Sequence, residues 1–308
     1  MLYFTVTDAD DGLRFDRWAK KHLPGLPHSL LQKHVRKGAV RVEGKRIKAD
    51  HTMLAGYKVA VRPEVMGSVS LALTPRPKVP PVFPDAAKRL RQMVLYEDAQ
   101  CLVINKPAGL ATQGGNGVKE SVDALILAAS EGDDRLRLVH RLDKDTSGVM
   151  LIAKGRKAAA HLTKAFASKE VQKIYWALVI GAPQPYEGII DAPIEKLGAV
   201  EKMFVSDDGQ RAVTEYETLE TLAGKLSWVE MQPITGRTHQ LRVHMAAIHH
   251  PIYGDGKYGG REAFIDGMDL PNQLHLHARR IVMHGLDISA PLPPHMKQSW
   301  KSLGLSEK

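Results

Sequence analysis

The chain has 308 residues, 44% of them hydrophobic and 25% charged, with a single cysteine and a formal net charge of +9. That length suits one large domain or two of ordinary size, and the composition is globular. No run approaches the ~20 apolar residues of a membrane span, and a lone Cys101 excludes an internal disulfide and a cysteine-based metal cluster.

The opening stretch, MLYFTVTDADDGLRFD, is acidic where a secretion signal needs a basic flank and an apolar core, so the sequence reads as cytoplasmic. Between Leu13 and Asp50 stand eleven Lys or Arg against three Asp or Glu, which leaves the rest of the chain close to neutral. Charge gathered on one short segment suggests a polyanionic partner. Within it, Phe15, Trp18, Ala19 and Leu23 have helical spacing with a basic outer face. Ser29 is placed to cap a second short helix and Gly38 to end it. Val40, Val42 and Ile47 alternate around Glu43-Gly44, the pattern of a hairpin. Two helices feeding a basic hairpin make a module suited to a phosphate backbone. Its candidate contacts are Arg14, Lys33, Arg36, Lys37, Arg41, Lys45, Arg46 and Lys48; the competing reading is a solvated basic face.

Pro63, Pro75, Pro77, Pro80, Pro81 and Pro84 crowd the next stretch, disfavouring helix and central strand. The expected organisation is therefore a module at 1–62, a proline-rich linker at 63–86 and a large domain at 87–308. In the large domain, MVLYED and CLVINKP predict a strand pair turning at Asp98-Ala99, and SVDALILAAS a short helix. GVMLIAK predicts a buried strand, and RKAAAHLTKAFASK a helix with Ala158, Leu162 and Phe166 on one side. VQKIYWALVIG and LSWVEMQPITG predict further strands. THQLRVHMAAIHH predicts a helix capped by Thr238, with Leu241, Met245 and Ile248 inward. Strand runs that adjoin without intervening helices point to an α+β fold with a mixed, largely antiparallel sheet.

Most familiar chemistries find no support. Fourteen histidines include suggestive pairs in LHLHA and VHMAAIHH, but HExxH is absent, and His275 and His277 have no acidic neighbour in sequence. Packed or RNA-facing histidines are the default, and no metal is expected. GGNG, at Gly114 to Gly117, lacks the strand and helix context of a dinucleotide fingerprint, and GxxxxGK[ST] and GxSxG do not occur. No cofactor is expected. What remains is LVHRLDKDTSGVMLIAK together with GRTHQLRVH. By pattern Asp143 and Asp145 are equal candidates at the mouth of one buried strand. Arg242 lies on a different helical side from Leu241 and Met245 and need not face the core. An aspartate beside such an arginine stays ionised, the state a carboxylate nucleophile or base requires. The competing reading is an ion pair tying a loop to a helix.

HRLDKDTSG resembles the signature of the RluA-type pseudouridine synthases. INKPAGL, at Ile104 to Leu110, resembles that family's strand-to-loop motif, and QKIYWALVIG its K-x-Y-x-A-x-V-x-G segment. GRTHQLRVHMAAIHHPIYGDGKYGG and LHLHA resemble its C-terminal signature, in the same order. Small departures are His249 before His-Pro and the pair His284-Gly285. The N-terminal module is similar to the alpha-L RNA-binding fold, and the whole chain most resembles the RluC-like branch. The resemblance implies Asp143 as catalytic aspartate, Tyr175 as the aromatic that stacks on the target base and can act as base at its carbon 5, and Arg242 as the arginine paired with the aspartate. Arg141 would help hold the flipped nucleotide. It further implies isomerisation of uridines in 23S ribosomal RNA, a reaction that needs no small-molecule cofactor; no membrane partner is expected from the composition, and the charge distribution gives no reason to expect more than a monomer. The competing readings are a synthase acting on another RNA and a non-catalytic RNA-binding assembly factor.

Overall fold

The computed structural model describes residues 1–67, 85–114, 118, 120–129, 135–196, 202–283 and 285–306. Most of the proline-rich stretch (68–84), Gly115 to Gly117 and His284 lie outside them. The chain divides into two compact units, Met1–Val79 and Pro80–Lys308. No helix among the described residues is long and apolar enough to cross a membrane.

The first unit contains β1 (Leu2–Thr5), α1 (Phe15–His22), α2 (His28–Arg36), β2 (Val40–Val42) and β3 (Lys58–Val61). Its strands form an antiparallel sheet in the order β1-β3-β2. Phe15, Trp18 and Ala19 of α1, Leu31 and Val35 of α2, and Val40, Val42, Val59 and Val61 of the strands make one core. Burial of these side chains is the main stabilising contribution, at ~25 cal/mol per Å² of apolar surface. Asp10 ties the module together, accepting hydrogen bonds from Lys21 (2.6 Å) and Thr7 (3.0 Å) and contacting His22 (2.7 Å). The Lys21 bond leads in holding its carboxyl down to about 2.

Three local expectations are corrected here. Ser29 lies inside α2, whose N-cap is Pro27 without a side-chain cap. Glu43 (φ 48°) and Gly44 (φ 72°) do make a tight turn, closed by a two-way pairing of Val42 with Lys45. The second hairpin arm, however, does not form, because β2 takes β3 as its partner and thereby buries Val59 and Val61. Residues 63–67 are helical and Val65 is buried in the module's core. Proline at a first helical position is favourable, so Pro63 starts a turn rather than a linker. Lys33, Arg36, Lys37, Lys45, Arg46 and Lys48 are exposed and Arg41 is half-buried. Arg14 is exposed but is ion-paired to Asp16 at 2.8 Å.

The second unit runs α3 (Ala86–Gln92), β4 (Val94–Glu97), β5 (Cys101–Lys106), α4 (Val122–Ala129), β6 (Leu136–Leu138), β7 (Ser147–Lys154), α5 (Gly155–Ala167) and β8 (Gln172–Ile180). It continues with β9 (Glu187–Asp191), β10 (Ile194–Lys196), β11 (Met203–Val205), β12 (Val213–Leu222), β13 (Leu226–Pro233), α6 (Gln240–Ala247), β14 (Leu276–Met283), β15 (Leu286–Ser289) and α7 (Pro294–Ser302). Ten of the strands form one sheet in the order β4-β5-β7-β14-β8-β13-β12-β9, with β6 beside β7 and β15 beside β14. Among the described residues every strand pairing of this sheet is antiparallel except β7 with β14. The mixed, largely antiparallel sheet expected from sequence is the observed one.

Both faces of the central strands are covered, which explains their continuous apolar runs. Leu102, Ile104, Met150 and Ile152 meet α3 and α4 on one side, while Val103, Val149, Leu151 and Ala153 meet Leu162 and Ala165 of α5 on the other. On β8, Ile174, Trp176 and Leu178 join Trp228 and Trp300, while Ala177 and Val179 join Met231, Leu241 and Met245. A strand buried on both faces has no polar alternation left.

One cross-sheet rung matters most. Gly148 pairs with Ala278, Ala278 with Tyr175, Tyr175 with Met231, and Met231 with Tyr216. Gly148 has φ +113°, and a β-carbon there would stand 2.2 Å from the carbonyl oxygen of Ala278. Only glycine permits this approach. Gly148→Ala is therefore predicted to destabilise the second unit by about 3 kcal/mol or more, combining backbone strain with overpacking. Urea unfolding reads this out, and a loss under about 1 kcal/mol would show that β14 can give way.

Candidate active site

The loop before β7 is held residue by residue. β6 leaves β7 after Leu138 pairs with Ile152, and the His140 ring supplies the next rung, its Nε2 accepting the Leu151 N–H at 2.8 Å. The ring also stacks on Phe166 with centroids 4.5 Å apart. Burial, helped by the charge of Lys173, pushes the imidazole down to about 3, so it stays neutral and keeps its acceptor nitrogen free of a proton. Leu142 is pinned on both backbone groups by Thr112, whose Oγ1 accepts from the Leu142 N–H (3.1 Å) and donates to its carbonyl (2.6 Å). Asp143 comes next, and its carbonyl accepts the Thr146 N–H at 3.2 Å to close a turn. Ser147 then hydrogen-bonds His277 Nδ1 at 2.8 Å, and the other nitrogen of that ring faces the Ala290 carbonyl at 3.2 Å.

Beneath this loop lies Lys106, at the end of β5 and fully buried. Its ammonium donates to the carbonyls of Pro107 (3.0 Å), Leu110 (2.8 Å) and Lys144 (3.0 Å), while Gly109 N–H reaches the same Lys144 carbonyl at 2.9 Å. The INKPAGL and HRLDKDTSG loops are thus one hydrogen-bonded unit. Burial lowers the Lys106 ammonium to about 8, and the carboxylates of Asp143 and Asp145 pull it back up. A buried ammonium with all three protons satisfied can persist as a cation.

Helix α6 supplies the opposite wall. Thr238 does not cap it, since the N-cap is His239, in the left-handed region at φ 55°. Arg242, which by spacing need not face the core, is buried all the same. It is only 7% exposed, because Gln240 through Met245 are all buried and the helix has no solvent face there. Its expected partner is also different. The guanidinium forks onto Asp255, Nε to Oδ2 at 2.8 Å and Nη2 to Oδ1 at 2.6 Å. Burial opposes its charge, but Asp255 and, further down, Asp143 more than offset that and raise its pKa. The Asp143 side chain, 18% exposed, has His239 Nε2 at 3.8 Å from its Oδ1. Burial lowers the His239 imidazole and the Asp143 charge acts against that.

Two cavities meet at Asp143, and both are also lined by Arg141, His239 and Arg242. The one of about 560 Å³ has Tyr175, Lys173, Phe166 and Thr146 in its wall. The one of about 890 Å³ has Lys144, Lys257, Asn272 and Gln273. Burial first, and the Asp143 charge second, raise the pKa of the Tyr175 phenol well above its ordinary value. The structure therefore brings Asp143, Tyr175, Arg242 and Arg141 together. The candidate cations of the first unit belong to the other compact body. Sequence reasoning missed Lys106, Thr112, His239, Asp255 and Tyr258. Lys106, His239, Asp255 and Tyr258 sit inside recognisable motifs, yet only the fold reveals what they touch.

Both the sequence and the fold of this unit have known counterparts. The sequence model of the RNA pseudouridylate synthase family matches residues 100–247, a span that holds Asp143, Tyr175 and Arg242. The chain belongs to this family and is a pseudouridine synthase. It is 35% identical to Ribosomal large subunit pseudouridine synthase C of Vibrio vulnificus (strain CMCP6) over 312 aligned residues, covering 98% of this chain and 97% of the relative. It is 36% identical to the protein of the same description from Escherichia coli (strain K12), covering 97% and 95%. Among solved structures it is similar to human RNA Pseudouridylate Synthase Domain Containing 4, with a TM-score of 0.63 and 31% identity, covering 73% of this chain and 99% of that one.

Buried neutral histidines make an acid-side prediction. His140 is held at about 3, and His275 and His277 at about 4, in each case chiefly by burial. An unfolded chain protonates these rings near 6.5, so below about that pH the unfolded state binds more protons and stability falls as pH falls. The urea midpoint should decline progressively from about pH 6.5 towards about pH 4, and His140→Gln should flatten part of that slope. A flat midpoint over this window would mean that the rings are not held neutral.

Proposed function

We propose that this chain isomerises specific uridines of the 23S RNA in the large ribosomal subunit, with Asp143 as the catalytic aspartate acting on an extruded nucleotide. The observation that carries the reading is the position of Asp143, reachable from solvent yet fixed at the junction of two cavities between Tyr175 and Arg242. The printed descriptions of relatives aligned over nearly the whole chain support the large-subunit target.

The reaction breaks the bond from ribose carbon 1′ to uracil nitrogen 1, turns the detached base and forms a bond from carbon 1′ to carbon 5. The carbon 5 proton is lost and a proton is gained at nitrogen, so no electrons are exchanged with a partner. Such chemistry needs a carboxylate beside the sugar, a pocket for the free base and a route for one proton. Asp143 would supply the carboxylate, whether by attack on the ribose, addition to the ring or removal of the 2′ proton. Tyr175 would stack on the base, and its raised pKa favours a neutral phenol over a standing phenolate base. Arg242, committed to Asp255, would act on Asp143 by charge rather than by a fork onto it. Arg141 lines both cavities and would take the phosphate of the extruded nucleotide, whose unstacking costs roughly a few kcal/mol.

The 1–62 module would be an alpha-L RNA-binding domain, contributing phosphate affinity through Lys33, Arg36, Lys37, Lys45, Arg46 and Lys48, with Arg41 and Arg14 at its margins. The protein would work as a cytoplasmic monomer. Pseudouridine maps of ribosomal RNA from cells with and without the gene test the target directly; identical maps would sink it.

Two variants separate chemistry from binding. Asp143→Asn is expected to abolish tritium release from uridine-labelled ribosomal RNA while RNA affinity stays within about threefold, a small change on the logarithmic free-energy scale. Retained turnover would remove Asp143 from its role. The triple variant Lys33→Glu, Arg36→Glu, Lys37→Glu should flatten the salt dependence of RNA binding. The expected change in log–log slope is about 0.7–0.9 for each phosphate that is no longer neutralised. An unchanged slope would free the module of the binding role.

A further inference from the structure

The His239–Tyr258 pair has no part in the isomerisation steps assigned to Asp143, Tyr175 and Arg242. Tyr258 has its phenol oxygen 3.1 Å from the Met203 N–H, which donates to it, and 2.6 Å from His239 Nδ1. The other ring nitrogen of His239 faces Asp143 Oδ1 at 3.8 Å. We propose that Tyr258 fixes His239 as the Nε2–H tautomer, so that His239 is a positioning residue presenting an N–H to the carboxylate of Asp143. The inference rests on Asp143 being the catalytic aspartate.

The tautomer follows from counting protons. A phenol carries one hydrogen, and the Met203 N–H already occupies an acceptor site on its oxygen. The short contact to His239 is then best made by the phenol donating to Nδ1, which leaves the ring proton on Nε2. The opposite tautomer would put a second donor on the phenol oxygen and remove its proton's acceptor. It would also aim a nitrogen lone pair at a carboxylate, an unfavourable meeting of two negative sites. Burial favours the neutral ring that this exchange requires.

The pair is rigid. The Tyr258 ring has the Arg242 guanidinium 5.1 Å from its centroid and the Lys202 ammonium 5.5 Å from it. The His239 ring meets it edge-on, with centroids 5.5 Å apart. The backbone of His239 is held at φ 55°, a conformation unfavourable for a residue with a β-carbon that persists only where the surroundings enforce it. At 3.8 Å the N–H to carboxylate contact is a directed charge–dipole attraction rather than a full hydrogen bond. Its effect is to hold one oxygen of Asp143 and leave the other to react.

The first test reads the tautomer in the intact wild-type protein, by long-range proton–nitrogen NMR on chain labelled with ¹⁵N-histidine. His239 is expected to carry its proton on Nε2; a proton on Nδ1 overturns the proposal without any variant. The second test is kinetic. Tyr258→Phe keeps the ring contacts and should lower kcat by roughly 10- to 100-fold, the scale of a misplaced catalytic group, with KM for RNA little changed. His239→Gln, which can still offer a side-chain N–H, should retain more kcat than His239→Leu. Unchanged kcat in Tyr258→Phe, or equal losses in the Gln and Leu variants, overturns the positioning role. Failure of the Asp143 assignment is distinguishable, since it appears as turnover in Asp143→Asn and leaves the His239 tautomer untouched.

Discussion

The approach of Gly148 to Ala278 is the contact on which the catalytic unit depends. It lies at the one parallel pairing of an otherwise antiparallel sheet, where β7 and β14 join the two halves. A side chain at residue 148 would collide with the Ala278 backbone, and the rung through Ala278 to Tyr175 would move with it. Asp143 stands five residues ahead of that glycine, so the same closure sets both the carboxylate and the tyrosine. The geometry of the site is therefore a property of sheet register, with the loop as a short and heavily bonded extension of it.

Around Asp143 the protein places positive charge without giving it away in a tight pair. Lys106 has its three protons on backbone carbonyls, and the Arg242 fork is on Asp255. Each cation is satisfied elsewhere, which removes the desolvation cost of leaving it bare. Their fields still reach the carboxylate, and neither cation ties up its lone pairs in a hydrogen bond. A direct Arg242–Asp143 fork would have bound those lone pairs.

Much of this was legible in the sequence, for identifiable reasons. Apolar runs such as GVMLIAK and QKIYWALVIG announce strands because both faces of β7 and β8 are covered, and the inward side of α5 carries Leu162, buried, with Ala158 and Phe166 partly buried. What failed were choices between local and distant partners. Ser29 and Thr238 looked like caps by residue type, yet Pro27 and a left-handed His239 hold those positions. Ile47 looked like a hairpin arm, but β3, roughly a dozen residues on, offered more apolar burial. Helical spacing turned Arg242 away from Leu241 and Met245 without revealing that this side is buried too, against Asp255. A single sequence carries the motif but not the register that brings Lys106, Thr112 and Tyr258 to it.

The late position of β14 in the chain has a further meaning during synthesis. This strand, Leu276–Met283, inserts between β7 and β8, and the bond from Ser147 to His277 spans 130 residues. Until those last strands have been made, the central rung has no middle and the nascent polypeptide has no site. Loops of that length close slowly, because their entropy must be lost before the contacts that reward it can form. A polypeptide emerging beside abundant ribosomal RNA is thus without its isomerase chemistry until Leu276–Met283 has been made and has taken its place between β7 and β8.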